Sequence, residues 1–113
     1  MLAAELAASH PDTTGVLMMN EHAGRGFVAG LQQLGCRLPQ DISVLALASS
    51  LDTASMSEPE MAVLISPADE LGRLGVDGLI DQIDKKYEPL PQLLIGCAYS
   101  PGATMGPAPQ QES

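Results

Sequence analysis

The chain has 113 residues, 45% of them hydrophobic and 3% aromatic, which suits one folded domain with a modest core and excludes a disordered chain. Five basic residues stand against 14 acidic ones, a formal charge of −9. That balance repels phosphate backbones and anionic lipid, no basic stripe offsets it, and no apolar run is long enough to span a bilayer.

In chain order, Leu2 to Ser9 is Ala-rich and helix-prone. It lacks a basic n-region and carries Glu5 within its apolar stretch, so it reads as a helix rather than a secretion signal and points to a cytoplasmic protein. His10-Pro11-Asp12 ends it, because the residue before a proline avoids the helical region. Thr13 to Met19 reads as a short buried strand. Asn20 can cap the next helix. Ala23, Phe27, Leu31 and Leu34 then recur on one helical face, and Gly35 is a natural stop. Ile42 to Leu47 is a second buried strand. Strand, helix and strand with short links predict a right-handed βαβ unit with parallel strands.

A polar loop, Ser49 to Glu60, leads to a third strand, Met61 to Ile65. Ser66-Pro67-Ala68-Asp69 is a helix start: Ser66 can cap, Pro67 suits the first helical position, and Asp69 stands where a capping box wants an acid. Leu71, Leu74, Leu79 and Ile83 mark that helix's apolar face, with Gly75 and Gly78 on it. Lys85 and Lys86 close it at the negative end of its dipole. Pro89-Leu90-Pro91 reads as a linker, Leu93 to Ala98 as a fourth strand, and residues 101–113, rich in Pro, Gly, Ala and Gln, as a disordered tail. Cys36 and Cys97 have no metal-site spacing. One bridge between them is possible, but two buried, reduced thiols fit a cytosolic protein better.

Gly24-x-Gly26-x-x-Ala29 has the outline of a dinucleotide-binding loop, but its context fails. The first glycine should lie in the turn directly after the strand, whereas Asn20, Glu21, His22 and Ala23 intervene. Glu21 also puts negative charge where phosphate must sit. These glycines serve close packing better. His22 and Glu21 are helix neighbours and point apart. Ser49-Ser50 has no elbow motif or base, and His10 and His22 have no third ligand at metal spacing. No enzyme activity, cofactor or metal is therefore expected. The strand instead ends in Asn20-Glu21-His22, and ligands in open parallel sheets bind outside the carboxyl ends of strands. Asn20 can serve as helix cap, as a hydrogen-bonding group for a ligand, or both.

Several motifs together carry a resemblance. The chain reads Asn20-Glu21, Ala23-Gly24-x-Gly26, Leu34-Gly35 and Leu38-Pro39-Gln40-Asp41-Ile42-Ser43-Val44-Leu45, followed by Pro59-Glu60-Met61-Ala62-Val63-Leu64-Ile65-Ser66-Pro67 and Glu70-Leu71-Gly72-Arg73-Leu74-Gly75. In this order and spacing the segments, together with the strand before Ser100, resemble the last portion of the effector-binding domain of LacI/GalR-family transcriptional regulators. The resemblance covers most of residues 11–100. It implies an α/β fold: a parallel-sheet, Rossmann-like lobe of a type I periplasmic-binding-protein-like fold, present as a truncated piece. Residues 1–100 would form the end of the sensor domain, with about 13–64 in the second lobe and about 66–98 returning to the first.

The resemblance further implies a small-molecule effector, sugar-like or nucleoside-like, that changes operator binding by a helix-turn-helix headpiece absent from this sequence. A solute-binding protein for transport shares the two-lobe fold and is the alternative. The implied ligand-binding residues are Asn20, Ser49 and Ser66. Where the family often has an effector-binding Asp after its second strand, this chain has Ala48, followed by Ser49. A homodimer is also implied, with Arg25, Phe27, Val28 and Met56 as contact candidates.

Overall fold

A computed structural model describes residues 2–85, 89 and 92–110. Its elements are α1 (Leu2–Ser9), β1 (Gly15–Met18), α2 (Glu21–Gln33), β2 (Ser43–Ala48), α3 (Asp52–Ser55), β3 (Ala62–Ile65), α4 (Ala68–Asp84) and β4 (Ala98–Ser100). One four-stranded sheet runs in the order β1-β2-β3-β4, with the first three strands parallel and β4 antiparallel to β3. The expected βαβ unit is β1-α2-β2.

The strand register explains where the core lies. Met18 pairs with Ala46, and Ala46 with Val63, so these three side chains share one face of the sheet. Phe27, Val28 and Leu31 of α2 bury against that face, joined by Val44, Ala48, Met61 and Ala3 of α1. The apolar stripe of α2 is therefore centred on Gly24, Phe27, Val28 and Leu31. Ala23 and Leu34, expected on it, lie outside, and Leu34 remains 49% exposed. Gly24 has the close-packing role expected of the α2 glycines, since a Cβ there would stand 2.9 Å from Met61 Sδ, but Gly26 does not: it is exposed, and a Cβ there would meet nothing within 4 Å. Gly35, at φ +83°, ends the helix in the conformation glycine adopts without strain.

Four expectations need correction. First, β1 is an edge strand and only Met18 of it is buried, because residues 13–19 have a neighbour on one side alone. Second, Leu93 to Cys97 form no strand; only Ala98–Ser100 pair with β3, and Leu93 and Leu94 stand in solvent. Third, Ser66 does not cap α4. The cap position is Pro67, without a side-chain hydrogen bond, because the Ser66 N–H is drawn back to the Ala48 carbonyl at 3.0 Å. Fourth, the thiols of Cys36 and Cys97 are free, but Cys36 is only half-buried and Cys97 is exposed in the unpaired segment before β4. Lys85 does stand at the C-cap of α4. Lys86, Leu90 and Pro91 of the expected helix end and linker lie outside the described residues.

The expected disordered tail is also corrected for residues 102–106. Thr104 is fully buried, and its Oγ1 donates to the Val44 carbonyl at 2.7 Å and accepts from the Ala62 N–H at 2.8 Å. The Thr104 carbonyl takes the Val44 N–H at 2.9 Å. The tail thus bridges the amino ends of β2 and β3, where the ladder between them has not yet begun. Gly102, at φ +50°, makes the approach possible: a Cβ there would lie 2.6 Å from the Glu60 carbonyl oxygen. Residues 111–113 lie outside the described set.

Candidate functional site at the carboxyl ends of the strands

Three parallel strands end side by side, so the residues just beyond them are neighbours. Asn20 follows β1, Ser49 follows β2 and Ser66 follows β3. Asn20 caps α2: its backbone is extended and its Oδ1 accepts the Ala23 N–H at 2.7 Å. Capping engages the oxygen and leaves the exposed amide NH2 as the group Asn20 can offer a ligand. The two readings of this residue are therefore compatible.

The link between β1 and β2 is a contact the sequence reading missed. Glu21, the first residue of α2, is 8% exposed, and its Oε1 accepts Ser49 Oγ–H at 2.9 Å and Ser49 N–H at 3.4 Å. Its own backbone N–H at the helix start, and then the Ser49 hydroxyl, hold the carboxyl below the usual glutamate range against the opposing effect of burial. Glu21 thus stays ionised and positions Ser49. A signal was available: in a parallel register the residue that opens α2 lies beside the residue that follows β2.

Ser49 and Ser66 then line an open cleft of about 350 Å3 with Pro67, Ala68, Asp69 and Glu70 at the start of α4. Asn20 stands beside this cleft rather than on its lining, one residue before the carboxylate that holds Ser49. Ser50 is committed elsewhere, its Oγ accepting the Asp52 N–H at the start of α3. Ala48 is buried and offers no polar group. The cleft supplies hydroxyls, an amide NH2 nearby and two exposed carboxylates, a set suited to a hydroxyl-bearing ligand. It does not make an activated nucleophile of Ser49, because a carboxylate with a lowered pKa is a weak base.

The candidate interface residues separate into two kinds. Phe27 and Val28 are 4% and 1% exposed and belong to the chain's own core, so as dimer contacts they are corrected: the helix turns them onto the sheet. Arg25, on the outer side of α2, and Met56, in the turn after α3, are both exposed and touch each other, with Arg25 NH1 3.9 Å from Met56 Sδ. A second cleft, of about 310 Å3, lies near the amino ends of the strands among Leu6, Leu31, Cys36 and Ile42. Asp41 at its rim is taken up by Arg37, which pairs with it at 3.0 Å. No group of three or more His, Cys, Asp or Glu among the described residues is arranged to hold a metal ion.

A sheet with its polar groups gathered at the strand ends is the framework of many small-molecule-binding lobes, and comparison with known proteins identifies which. The profile of the periplasmic binding protein-like domain matches residues 1–105, and the chain belongs to that family. Within it, its relatives are LacI-type regulators. It is 29% identical over 102 residues to the HTH-type transcriptional repressor PurR of Vibrio vulnificus, covering 84% of this chain and 30% of that protein. It is 34% identical over 76 residues to the ribose operon repressor of Escherichia coli K12, covering 66% of this chain and 23% of the repressor.

Solved structures share the fold. The transcriptional regulator CelR–cellobiose complex superposes with a TM-score of 0.78 at 22% identity, over 91% of this chain and 31% of that one. A LacI-family regulator from Enterococcus faecium with bound ribose gives 0.71 at 24% identity, over 97% of this chain and 39% of that one. The chain thus spans less than a third of the length of the curated relatives quoted. No helix among the described residues is long and apolar enough to cross a membrane.

Proposed function

We propose that this chain is the ligand-sensing part of a LacI/GalR-like, DNA-binding transcriptional regulator. Its effector is a sugar-like or nucleoside-like molecule that meets Asn20, Ser49 and Ser66, and its binding alters operator affinity through a headpiece outside these 113 residues. The observation that carries the reading is the match to curated regulators over 84% of the chain, which supports reading the strand-end cleft as the sensing site. Those relatives are named as transcriptional regulators, which favours this role over that of a transport component, and favours a cytoplasmic protein without enzymatic activity.

The physical logic is a two-state equilibrium: an effector that prefers one arrangement of the lobes shifts the population toward it. Ala48 removes one hydrogen-bond acceptor from the usual set, so Ser49, held by Glu21, carries the contact from β2. Homodimerisation belongs to the same proposal, with Arg25 on the exposed side of α2 and Met56 in the turn after α3 as the contact candidates.

Amide chemical shifts recorded while the chain is titrated with pentoses, disaccharides and nucleosides test the site. Shifts gathered at Asn20, Ser49, Ser66 and Asp69 for at least one class support it. Saturating binding with shifts confined to the cleft around Leu6 and Ile42 contradicts it.

A further inference from the structure

The polar groups that follow β1 and β2 are each committed on one side, and the commitment leaves them with opposite hydrogen-bonding roles. An amide side chain has an accepting oxygen and a donating NH2, and a serine hydroxyl has one proton to give and two lone pairs to offer. Contacts inside the packed segment decide which of these remain free. Asn20 commits its oxygen to the Ala23 N–H at 2.7 Å, so the NH2 is what it has left, and it donates. Turning the amide over would strip α2 of its cap.

Ser49 is committed in the opposite sense. Its Oγ lies 2.9 Å from Glu21 Oε1, and its backbone N–H approaches the same oxygen at 3.4 Å. Glu21 is buried, and its own backbone N–H and the Ser49 hydroxyl hold its carboxyl below the usual glutamate range, so at neutral pH it carries no proton. The proton between the two oxygens is therefore the serine's, and Ser49 Oγ can only accept from a group that approaches it. A hydrogen bond to an ionised acceptor is about twice as strong as a neutral one. Releasing this one would leave a buried carboxylate without its hydroxyl donor, so the proton does not swing round to suit a ligand. The donor at Asn20 and the acceptor at Ser49 follow neighbouring strands of one sheet, whose spacing is about 4.8 Å.

We propose that Glu21 sets the hydrogen-bond polarity of the strand-end cleft: by holding the Ser49 proton it makes Ser49 an acceptor beside the donor Asn20, so a ligand must donate a hydroxyl to Ser49 next to an oxygen that accepts from Asn20. The inference rests on the reading of this cleft as the sensing site. Neighbouring hydroxyls meet the requirement, on a free sugar or on the ribose of a nucleoside. An ether, carbonyl, carboxylate or phosphate oxygen at Ser49 does not, because it meets an oxygen with no proton to give and an ionised carboxylate behind it. Glu21 is thus a positioning residue that acts through Ser49. Every contact that fixes this polarity lies within residues 20–49.

Two measurements on the 113-residue chain test this. The first needs no ligand. The Glu21 carboxyl carbon, followed by NMR through an acid titration, should titrate at higher pH in Ser49→Ala than in the parent, because the variant lacks the hydroxyl that favours the ionised form. An unmoved titration overturns the proposal. The second uses D-ribose and adenosine as probes, each beside analogues in which one ring hydroxyl at a time is replaced by fluorine, which cannot donate. Dissociation constants are read from the amide shifts of Asn20, Ser49 and Ser66. One replacement should weaken binding to the parent about 10-fold or more, and Glu21→Ala should shrink that penalty to about threefold, because its Ser49 hydroxyl is free to turn its proton toward the ligand. A residue that only held the fold would weaken every analogue alike. Either probe supports the proposal, and which of them binds tells a free sugar from a nucleoside. Replacements that all bind the parent within about threefold of the hydroxyl compound overturn it, as does a penalty that Glu21→Ala leaves unchanged. The carboxyl titration and the parent scan decide the matter even where Glu21→Ala does not fold. Probes that bind with shifts elsewhere in the chain contradict the site reading, and the inference with it, even where the Glu21 titration moves as expected.

Discussion

The segment from α1 to β3 and the segment from α4 to β4 are built from similar fractions of apolar side chains but use them differently. In the first, Phe27, Val28, Val44, Met61 and Val63 lose nearly all their solvent contact. In the second, no described residue from Ala68 to Ser100 is buried, although Leu71, Leu79, Ile83 and Leu93 are as apolar as anything in the core. Local sequence is enough to form an amphipathic helix, but not to provide the surface it needs. α2 has a sheet beneath it because it is the crossover between two paired strands, whereas α4 leads only to the three-residue strand β4. The site follows the same division. Asn20, Glu21 and Ser49 are fixed by the packed segment, and Ser66, Asp69 and Glu70 stand where the second segment begins.

Removing the contrast at its strongest point gives the largest expected effect. Phe27→Ala should lower unfolding free energy by about 3–5 kcal/mol in denaturant titrations, because it empties a filled core position. A loss below about 1 kcal/mol would mean that Phe27 is not core, and would return it to the candidate interface. Next comes the tail. Thr104→Val strips the Ala62 N–H and the Val44 carbonyl of a buried partner and should cost about 1–3 kcal/mol, whereas Thr104→Ser should recover most of that loss. Equal stabilities for Val and Ser at this position would show that the hydroxyl bridge does not matter.

A pH series sharpens the comparison further. Glu21 has a lowered folded pKa, so its contribution is fully present above the ordinary glutamate value. It is lost as the pH falls through the lowered folded value. Stability should therefore fall as the pH drops below the ordinary glutamate value, and Glu21→Gln should flatten part of that drop. A parent and variant with parallel pH profiles would remove Glu21 from its proposed positioning role. The smallest effect belongs to the second segment. Leu79→Ala, measured under conditions where the chain is monomeric, should change stability by no more than about 0.5 kcal/mol.

How much was legible in the sequence follows the same line. α2, β2 and β3 were readable because capping residue, apolar spacing and stop signal agree with the tertiary environment. Asn20 was placed correctly at the start of α2 for that reason. β4 was misplaced because an apolar run such as Leu93 to Cys97 signals burial, and only pairing decides whether it becomes a strand. The region 102–106 looked like solvated tail by its Pro and Gly content. A single threonine bridging two strands leaves no periodic trace, and Gly102 is informative only once the Glu60 carbonyl is known to approach it. Of the site, the strand-end position of Asn20, Ser49 and Ser66 was readable from the βαβ pattern. The Glu21–Ser49 bond was not read, because it joins residues 28 apart and depends on register.

The most direct test of the sensing account is effector-dependent operator release by the full-length regulator, compared between Asn20→Ala and Ser9→Ala. Asn20 stands beside the strand-end cleft, while Ser9 is exposed at the end of α1, away from it. The account predicts that Asn20→Ala raises the effector concentration needed for half-maximal release by about 10-fold or more, the scale of one lost hydrogen bond to a ligand in a partly desolvated site, while Ser9→Ala leaves it unchanged. An Asn20→Ala protein that releases its operator at the parent effector concentration would contradict it.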